Sequence, residues 1–290
     1  MLHDSPTRLN VAKVYFKRAT RWNRSSYPYI SGDAFADLSD VSVYKPKFRG
    51  IEPSLKAIKN ANVIFCPSSK LIEFLENFHK LLSVKVIIAG NDDTEFHKEL
   101  VNIPKSVRKM YLQNSFISDN ERIFTLPIGI ENFRYGVNGH PKLMQPILKS
   151  NTQNKILFGP FSATHETRIE VKKLLIKSHG PWVFFDAPIK PKEFQNHMST
   201  YNWIGVVRGN GIDTHRLWEA LYRERIPIVK SDLWSRSLAY LNLPIYLTSD
   251  WHPNTLINFL KEHETLPINS NKLESLWMPW WKKQINHTCI

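Results

Sequence analysis

The chain has 290 residues, of which 42% are hydrophobic and 22% charged, with a formal net charge of +13. The length suits two domains of roughly 100–150 residues each, and the composition excludes disordered, collagen-like and low-complexity chains. The basic balance attracts anions. Nucleic acid, an acidic membrane surface and a small phosphate-bearing substrate all fit it, as does a solvated basic surface with no special partner.

The basic residues are spread along the chain, without a basic tail or a zinc-finger, RNP or leucine-zipper pattern, so nucleic acid is not the expected partner. Cys66 and Cys289 make at most one bridge, which excludes a disulfide framework and points to a reducing compartment. The segment Met1-Leu2-His3-Asp4-Ser5-Pro6 lacks the apolar stretch of a signal peptide, and no run approaches the roughly 20 apolar residues of a membrane span. The expectation is a cytoplasmic protein, soluble or peripheral to a membrane.

Short apolar runs alternate with helical stretches. Strands are predicted at 11–16, 62–66, 84–89 and 122–126. A helix capped by Ser68 or Ser69 runs to about residue 82, with Leu71, Ile72, Leu75, Phe78 and Leu82 at helical spacing. This order reads as β-α-β-α-β, a parallel sheet covered by helices. Residues 136–153, rich in Gly, Asn, Pro and Lys, read as a linker.

In the second half, strands are predicted at 155–158, 182–185, 203–207, 226–229 and 244–247. Helices are predicted at 167–178, 191–200, 213–223, 231–240 and 253–263, with a tail helix at 272–287 interrupted at Pro279. The expected architecture is α/β: two doubly wound, Rossmann-like domains (1–140 and 141–270) facing a cleft, with 271–290 packing back on the first. Ligands of such sheets bind beyond the carboxyl ends of the strands.

One segment concentrates chemistry. The apolar run Trp203-Ile204-Gly205-Val206-Val207 is followed by Arg208-Gly209-Asn210-Gly211 and then a helix from about Ile212 to Arg223. Glycines let backbone approach a phosphate, a helix N-terminus favours an anion, and Arg208 can grip two phosphate oxygens. Thr214 stands where a dinucleotide fingerprint needs its third glycine, and no Gly-Lys-Ser/Thr follows to make a P-loop. A bare strand-to-helix turn is therefore the competing reading.

Asp213, His215, Arg216 and Glu219 crowd the first two turns. Arg216 and Glu219, three apart, share a face; they either look into the cleft or form an intrahelical pair worth about 0.3–0.5 kcal/mol. Asp213 reads as an N-cap, which is compatible with a ligand role.

The stretch from Arg208-Gly209-Asn210-Gly211 through Thr214-His215-Arg216-Leu217-Trp218-Glu219-Ala220-Leu221 to Arg225-Ile226-Pro227-Ile228-Val229 resembles the exostosin-like glycosyltransferases. A weaker, patchy likeness takes in Ala89-Gly90-Asn91-Asp92-Asp93, Leu112-Gln113-Asn114 and Leu126-Pro127-Ile128-Gly129-Ile130-Glu131. The resemblance implies a GT-B fold whose second domain holds most of a nucleotide-sugar donor. It implies that Glu219 bonds donor hydroxyls and that Arg208 and Arg216 neutralise the diphosphate. The chain departs from the family at Glu224-Arg225, where Gly-Cys is frequent.

Sugar transfer needs a stabilised leaving diphosphate and an acceptor hydroxyl that loses its proton. Arg208, Arg216 and Lys230 can replace a metal in the first task; no Asp-x-Asp and no histidine pair with ligand spacing occur. No metal or cofactor is expected, the nucleotide-sugar being a substrate. The candidate bases, facing a glycan or polysaccharide acceptor, are Asp92 and Asp93, with a capping turn as the plain reading. Glu131 is a further candidate, or else a loop ion pair.

Ser162, after the first strand of the second half, meets the diphosphate or simply caps a helix. Trp277, Trp280 and Trp281 beside Lys282 and Lys283 suit either a membrane interface or packing across the first domain. The main rival function is a non-catalytic nucleotide- or carbohydrate-binding module on the same fold.

Overall fold

Val63-Ile64-Phe65-Cys66 and Val86-Ile87-Ile88-Ala89 have no polar face, as strands buried on both sides require. In the computed structural model they are the inner part of a parallel sheet. The structure describes residues 26–44, 52–97, 100, 103–117, 121–135, 138–146, 152–185, 189–263 and 267–290; the predicted strand at 11–16 lies outside them.

The first sheet contains β1 (Val41–Ser42), β2 (Val63–Pro67), β3 (Val86–Gly90), β4 (Lys109–Gln113) and β5 (Ile123–Leu126), in that spatial order and all parallel. Alternate residues of each strand serve opposite faces. Val63 and Phe65 pack with α1 (Gly32–Leu38), whereas Ile64 and Cys66 pack with α2 (Leu55–Asn60) and α3 (Leu71–Phe78). The helix expected to reach residue 82 is α3 flanked by two short 3-10 turns, Ser68–Lys70 and His79–Leu81. Strand β4 was not predicted. Its apolar centre, Met110-Tyr111-Leu112, is bracketed by Lys109 and Gln113, so too little apolar sequence remains to announce it.

The second sheet has the order β10-β9-β8-β6-β7, again all parallel. Its strands are β6 (Gln153–Phe158), β7 (Trp182–Phe184), β8 (Tyr201–Val206), β9 (Ile226–Lys230) and β10 (Tyr246–Thr248). The connecting helices are α4 (Glu166–Lys177), α5 (Pro191–Met198), α6 (His215–Tyr222), α7 (Leu233–Ser237) and α8 (Pro253–Glu262). The chain leaves β6 for β7 on one side and returns to β8 on the other. That reversal opens a crevice between the carboxyl ends of β6 and β8, the place where α/β sheets hold ligands.

One apolar cluster joins the two sheets. It takes Phe65, Ile88 and Tyr111 from the first and Leu157, Ile204 and Val229 from the second. Polar contacts cross the same boundary: Tyr222 Oη accepts from Ile30 N–H at 3.0 Å and Tyr240 Oη donates to Thr125 O at 2.5 Å; within the second half, Arg223 donates to Leu143 O at 2.8 Å. Leu143 falls within the stretch read as a linker, so part of that stretch is pinned to the second half.

The tail helix α9 (Met278–Cys289) begins later than predicted. Pro279 stands in its first turn, where a missing N–H costs nothing, and does not interrupt it. Trp281 is fully buried, edge-on to Phe35 at 5.1 Å and to Tyr111 at 5.6 Å. Trp277 donates its indole N–H to Ser270 O at 3.0 Å and packs on Tyr29, while Trp280 packs on Trp281. Trp281 thus sits in the core against the first half, while Trp277 and Trp280 are partly exposed. Among the described residues no helix is long and apolar enough to cross a membrane.

Candidate functional site

The loop after β8 is shaped by side chains that press against its glycines. A Cβ on Gly209 would stand 2.9 Å from Nη2 of Arg168, and one on Gly211 would stand 2.6 Å from Nδ2 of Asn114. At both glycines the groups that press close belong to the protein, where the sequence reading expected a phosphate.

Arg168 had no signal in the sequence beyond being a basic residue in the first turn of α4. It laces the two loops of the switch point together. Its guanidinium donates to Arg208 O at 2.9 Å and Val207 O at 3.4 Å on one side, and to Ser162 O at 3.3 Å and Thr164 Oγ1 at 3.1 Å on the other. Burial, and then the neighbouring charge of Arg216, lower its pKa to about 10, which leaves it cationic at neutral pH. Ser162 therefore enters the site through its backbone carbonyl, while its exposed side chain stands outside that lacing.

Arg208 reaches across to the first half, with Nη2 2.6 Å from Oε1 of Glu95 and 3.3 Å from Asn210 O. Asn210 itself is exposed. Asp213 is not the helix cap; Thr214 occupies that position, without a side-chain capping bond. The Asp213 carboxylate is buried and accepts from Ile128 N–H at 2.8 Å and from the Trp218 indole N–H at 2.9 Å. Burial outweighs these bonds and pushes its pKa up to about 7. His215 presents Nδ1 to Gly129 O at 2.8 Å, so that nitrogen carries the proton.

Arg216 donates to Gly159 O at 3.1 Å and Pro160 O at 3.4 Å, and its guanidinium lies 4.0 Å from the centre of the Phe194 ring. Its Nε stands 3.5 Å from Oε2 of Glu219. The spacing of three that put both residues on one face thus yields the intrahelical pair, here nearly removed from water. Burial lowers the Arg216 pKa, and the Glu219 carboxylate partly offsets this.

In the first half, Asp92 is occupied, accepting from Ser69 N–H and Oγ–H in the turn after β2, each at 2.9 Å, and from Thr94 N–H in its own loop at 3.0 Å. Asp93 is exposed. Glu131 accepts from Asn138 N–H at 2.9 Å, a local loop bond.

A cavity of about 220 Å³ opens between the halves beyond the ends of β8 and β9. Arg208, Lys230, His165, Asp232 and Thr167 are its polar lining; Trp234 and Trp251 supply aromatic walls, and Phe116 is the contribution of the first half. His215, Arg216 and Glu219 are not among its described lining residues. Trp234 is fully buried, and among the described residues its indole N–H has no partner. A cavity with two cations at its wall suits a ligand carrying negative charge. No group of three or more His, Cys, Asp or Glu among the described residues is placed to hold a metal. Compared with known proteins, the chain matches no family model and no curated protein.

Proposed function

We propose that the chain is a glycosyltransferase of the GT-B type, using a UDP- or GDP-linked sugar and a glycan acceptor without a metal. The observation that carries this reading is the cavity beyond the carboxyl ends of β8 and β9, with Arg208 and Lys230 at its wall. Fixed cations aimed at a departing diphosphate stabilise charge that grows in the transition state. The cavity is smaller than the roughly 300–1,000 Å³ of a drug-sized ligand site. It suits the nucleoside end of the donor, with the diphosphate at its rim against Arg208 and the sugar in the open cleft. Arg216 and Glu219, implied as donor contacts by the family resemblance, act one layer back by holding the Gly159-Pro160 loop that faces the crevice.

The test is direct titration calorimetry with UDP and GDP, followed by release of nucleotide from UDP- and GDP-sugars. Micromolar-to-millimolar binding that Arg208→Ala weakens about tenfold or more supports the reading; no heat with either nucleotide ends it. The occupied carboxylates Asp92 and Glu131 favour a second reading, a non-catalytic binding module. That reading keeps nucleotide binding and predicts no turnover.

A further inference from the structure

Glu95 joins two things that the chain keeps far apart in sequence. One carboxylate oxygen meets Arg208 of the second half at 2.6 Å, and the other stands 3.1 Å from Nε2 of His97 in the first half. The imidazole lies flat on Phe116, with ring centres 4.6 Å apart and planes 14° apart, and Phe116 is the first half's wall of the cavity. The His97 side chain is 60% exposed. An imidazole fixed by a carboxylate, stacked at the mouth of a cavity and open to solvent, has the arrangement a general base requires.

Resting on the transferase reading, we propose that His97 is the base that deprotonates the acceptor hydroxyl and that Glu95 positions it. Nε2–H donates to Glu95, which leaves the Nδ1 lone pair for the acceptor proton. In one in-line displacement the acceptor oxygen forms its bond to the anomeric carbon as the bond from that carbon to the phosphate oxygen breaks. The electron pair leaves with the nucleoside diphosphate, and the proton ends on Nδ1. The imidazolium so formed is held by the Glu95 carboxylate. Among the described residues, Arg208 faces the Glu95 carboxylate across the cleft, and His165, Lys230 and Asp232 line the cavity that Phe116 walls.

This assignment also explains why Asp92 is a poor base. Its oxygens already accept three hydrogen bonds, two from Ser69 and one from Thr94.

The experiment uses the full chain and four donors, UDP-glucose, UDP-galactose, UDP-N-acetylglucosamine and GDP-mannose, with water as acceptor. Release of UDP or GDP is followed from about pH 5 to pH 9, across the range in which histidine titrates. His97→Gln lowers kcat about 10²–10⁴-fold, leaves KM for the donor and the melting temperature near those of the unchanged protein, and removes the acidic limb of the pH profile. Glu95→Gln keeps that limb but lowers kcat about tenfold or more, because the imidazole loses the carboxylate that positions it; a purely structural Glu95 lowers the melting temperature and leaves kcat in place.

An active protein whose His97→Gln variant keeps both kcat and the acidic limb overturns the base assignment and leaves the transferase reading standing. Nucleotide binding without turnover of any donor overturns the base assignment and leaves a binding site. Absence of both binding and turnover overturns the transferase reading, and the base with it.

Discussion

Asp213, in the loop ahead of α6, accepts the backbone N–H of Ile128 from the first half at 2.8 Å. Asn114, also of the first half, returns the contact by accepting the Asp213 N–H at 3.0 Å. One buried carboxylate thus fixes the end of β8 against the loop after β5, and with it the mouth of the cavity.

That carboxylate makes stability depend on pH. Burial raises its folded pKa to about 7, against an unfolded value of about 3.9. Between these values the folded chain binds more protons than the unfolded chain. The contribution of Asp213 is therefore full below about pH 4 and is lost as pH rises through about 7, at up to about 1.4 kcal/mol per pH unit. Asp213→Asn removes the titration but turns an amide N–H₂ toward one of the two donors, at a cost of about 1–3 kcal/mol. Urea unfolding of both proteins from pH 5 to pH 8 should show the variant less stable at the acidic end, with the gap narrowing as pH rises. A gap that stays constant or widens removes Asp213 as the titrating group.

Glu224 tests the departure from the resembling family. It sits at φ +59°, where that family often has glycine, and its Oε1 accepts from Ser270 N–H at 3.1 Å and Ser270 Oγ–H at 3.3 Å. A left-handed backbone costs an L-residue about 1–2 kcal/mol, and hydrogen bonds of this kind recover about 0.5–1.5 kcal/mol each. Glu224→Gly exchanges one effect for the other and should change stability by less than about 1 kcal/mol. Glu224→Val keeps the strain, loses the bonds and adds a branched side chain, so a loss of about 2 kcal/mol or more is expected. Equal effects of the two variants in chemical denaturation contradict this account.

These residues also show where sequence reading stops. Strands such as β2, β3 and β8 were legible because apolar residues fill both of their faces, and the Arg216–Glu219 pair was legible because helical spacing alone brings the two together. Asp213 meets Ile128 and Arg208 meets Glu95 across gaps of 85 and 113 residues, and no local pattern encodes such partners. Arg168 was missed for the same reason: its role depends on two loops that only the strand order brings side by side. Gly209 and Gly211 read from sequence as room for a phosphate, whereas the groups that approach them are the Arg168 and Asn114 side chains, which no local pattern announces.

Gly205 carries a prediction about the seam between β6 and β8. A Cβ there would stand 2.1 Å from Cε1 of Phe158, a fully buried ring edge-on to Trp251 at 5.6 Å. Gly205→Ala should cost about 1–3 kcal/mol through overpacking, or more if the ring cannot move. In a double-mutant cycle with Phe158→Leu, which vacates that space, the two costs should be less than additive by at least about 0.5 kcal/mol. Strict additivity in unfolding midpoints would show that ring and glycine do not compete for the same volume.

Trp234 separates a ligand cavity from a packing defect. Its indole is fully buried and lines the cavity, and among the described residues its N–H lacks a partner. A buried donor left unmet costs about 1–3 kcal/mol, so Trp234→Phe, which deletes that N–H and keeps a flat ring, offsets part of the cavity it creates. The free protein should melt within a few degrees of the unchanged chain. On the transferase reading, nucleotide binding turns that N–H, closed to solvent in the free protein, toward a carbonyl or phosphate oxygen seated in the cavity. Losing a hydrogen bond of about 0.5–1.5 kcal/mol weakens UDP or GDP binding roughly 2–12-fold. Calorimetry on both proteins decides the matter. A variant that melts far lower and binds nucleotide equally well makes Trp234 a pillar of the core and moves the donor out of this cavity, toward the crevice laced by Arg168.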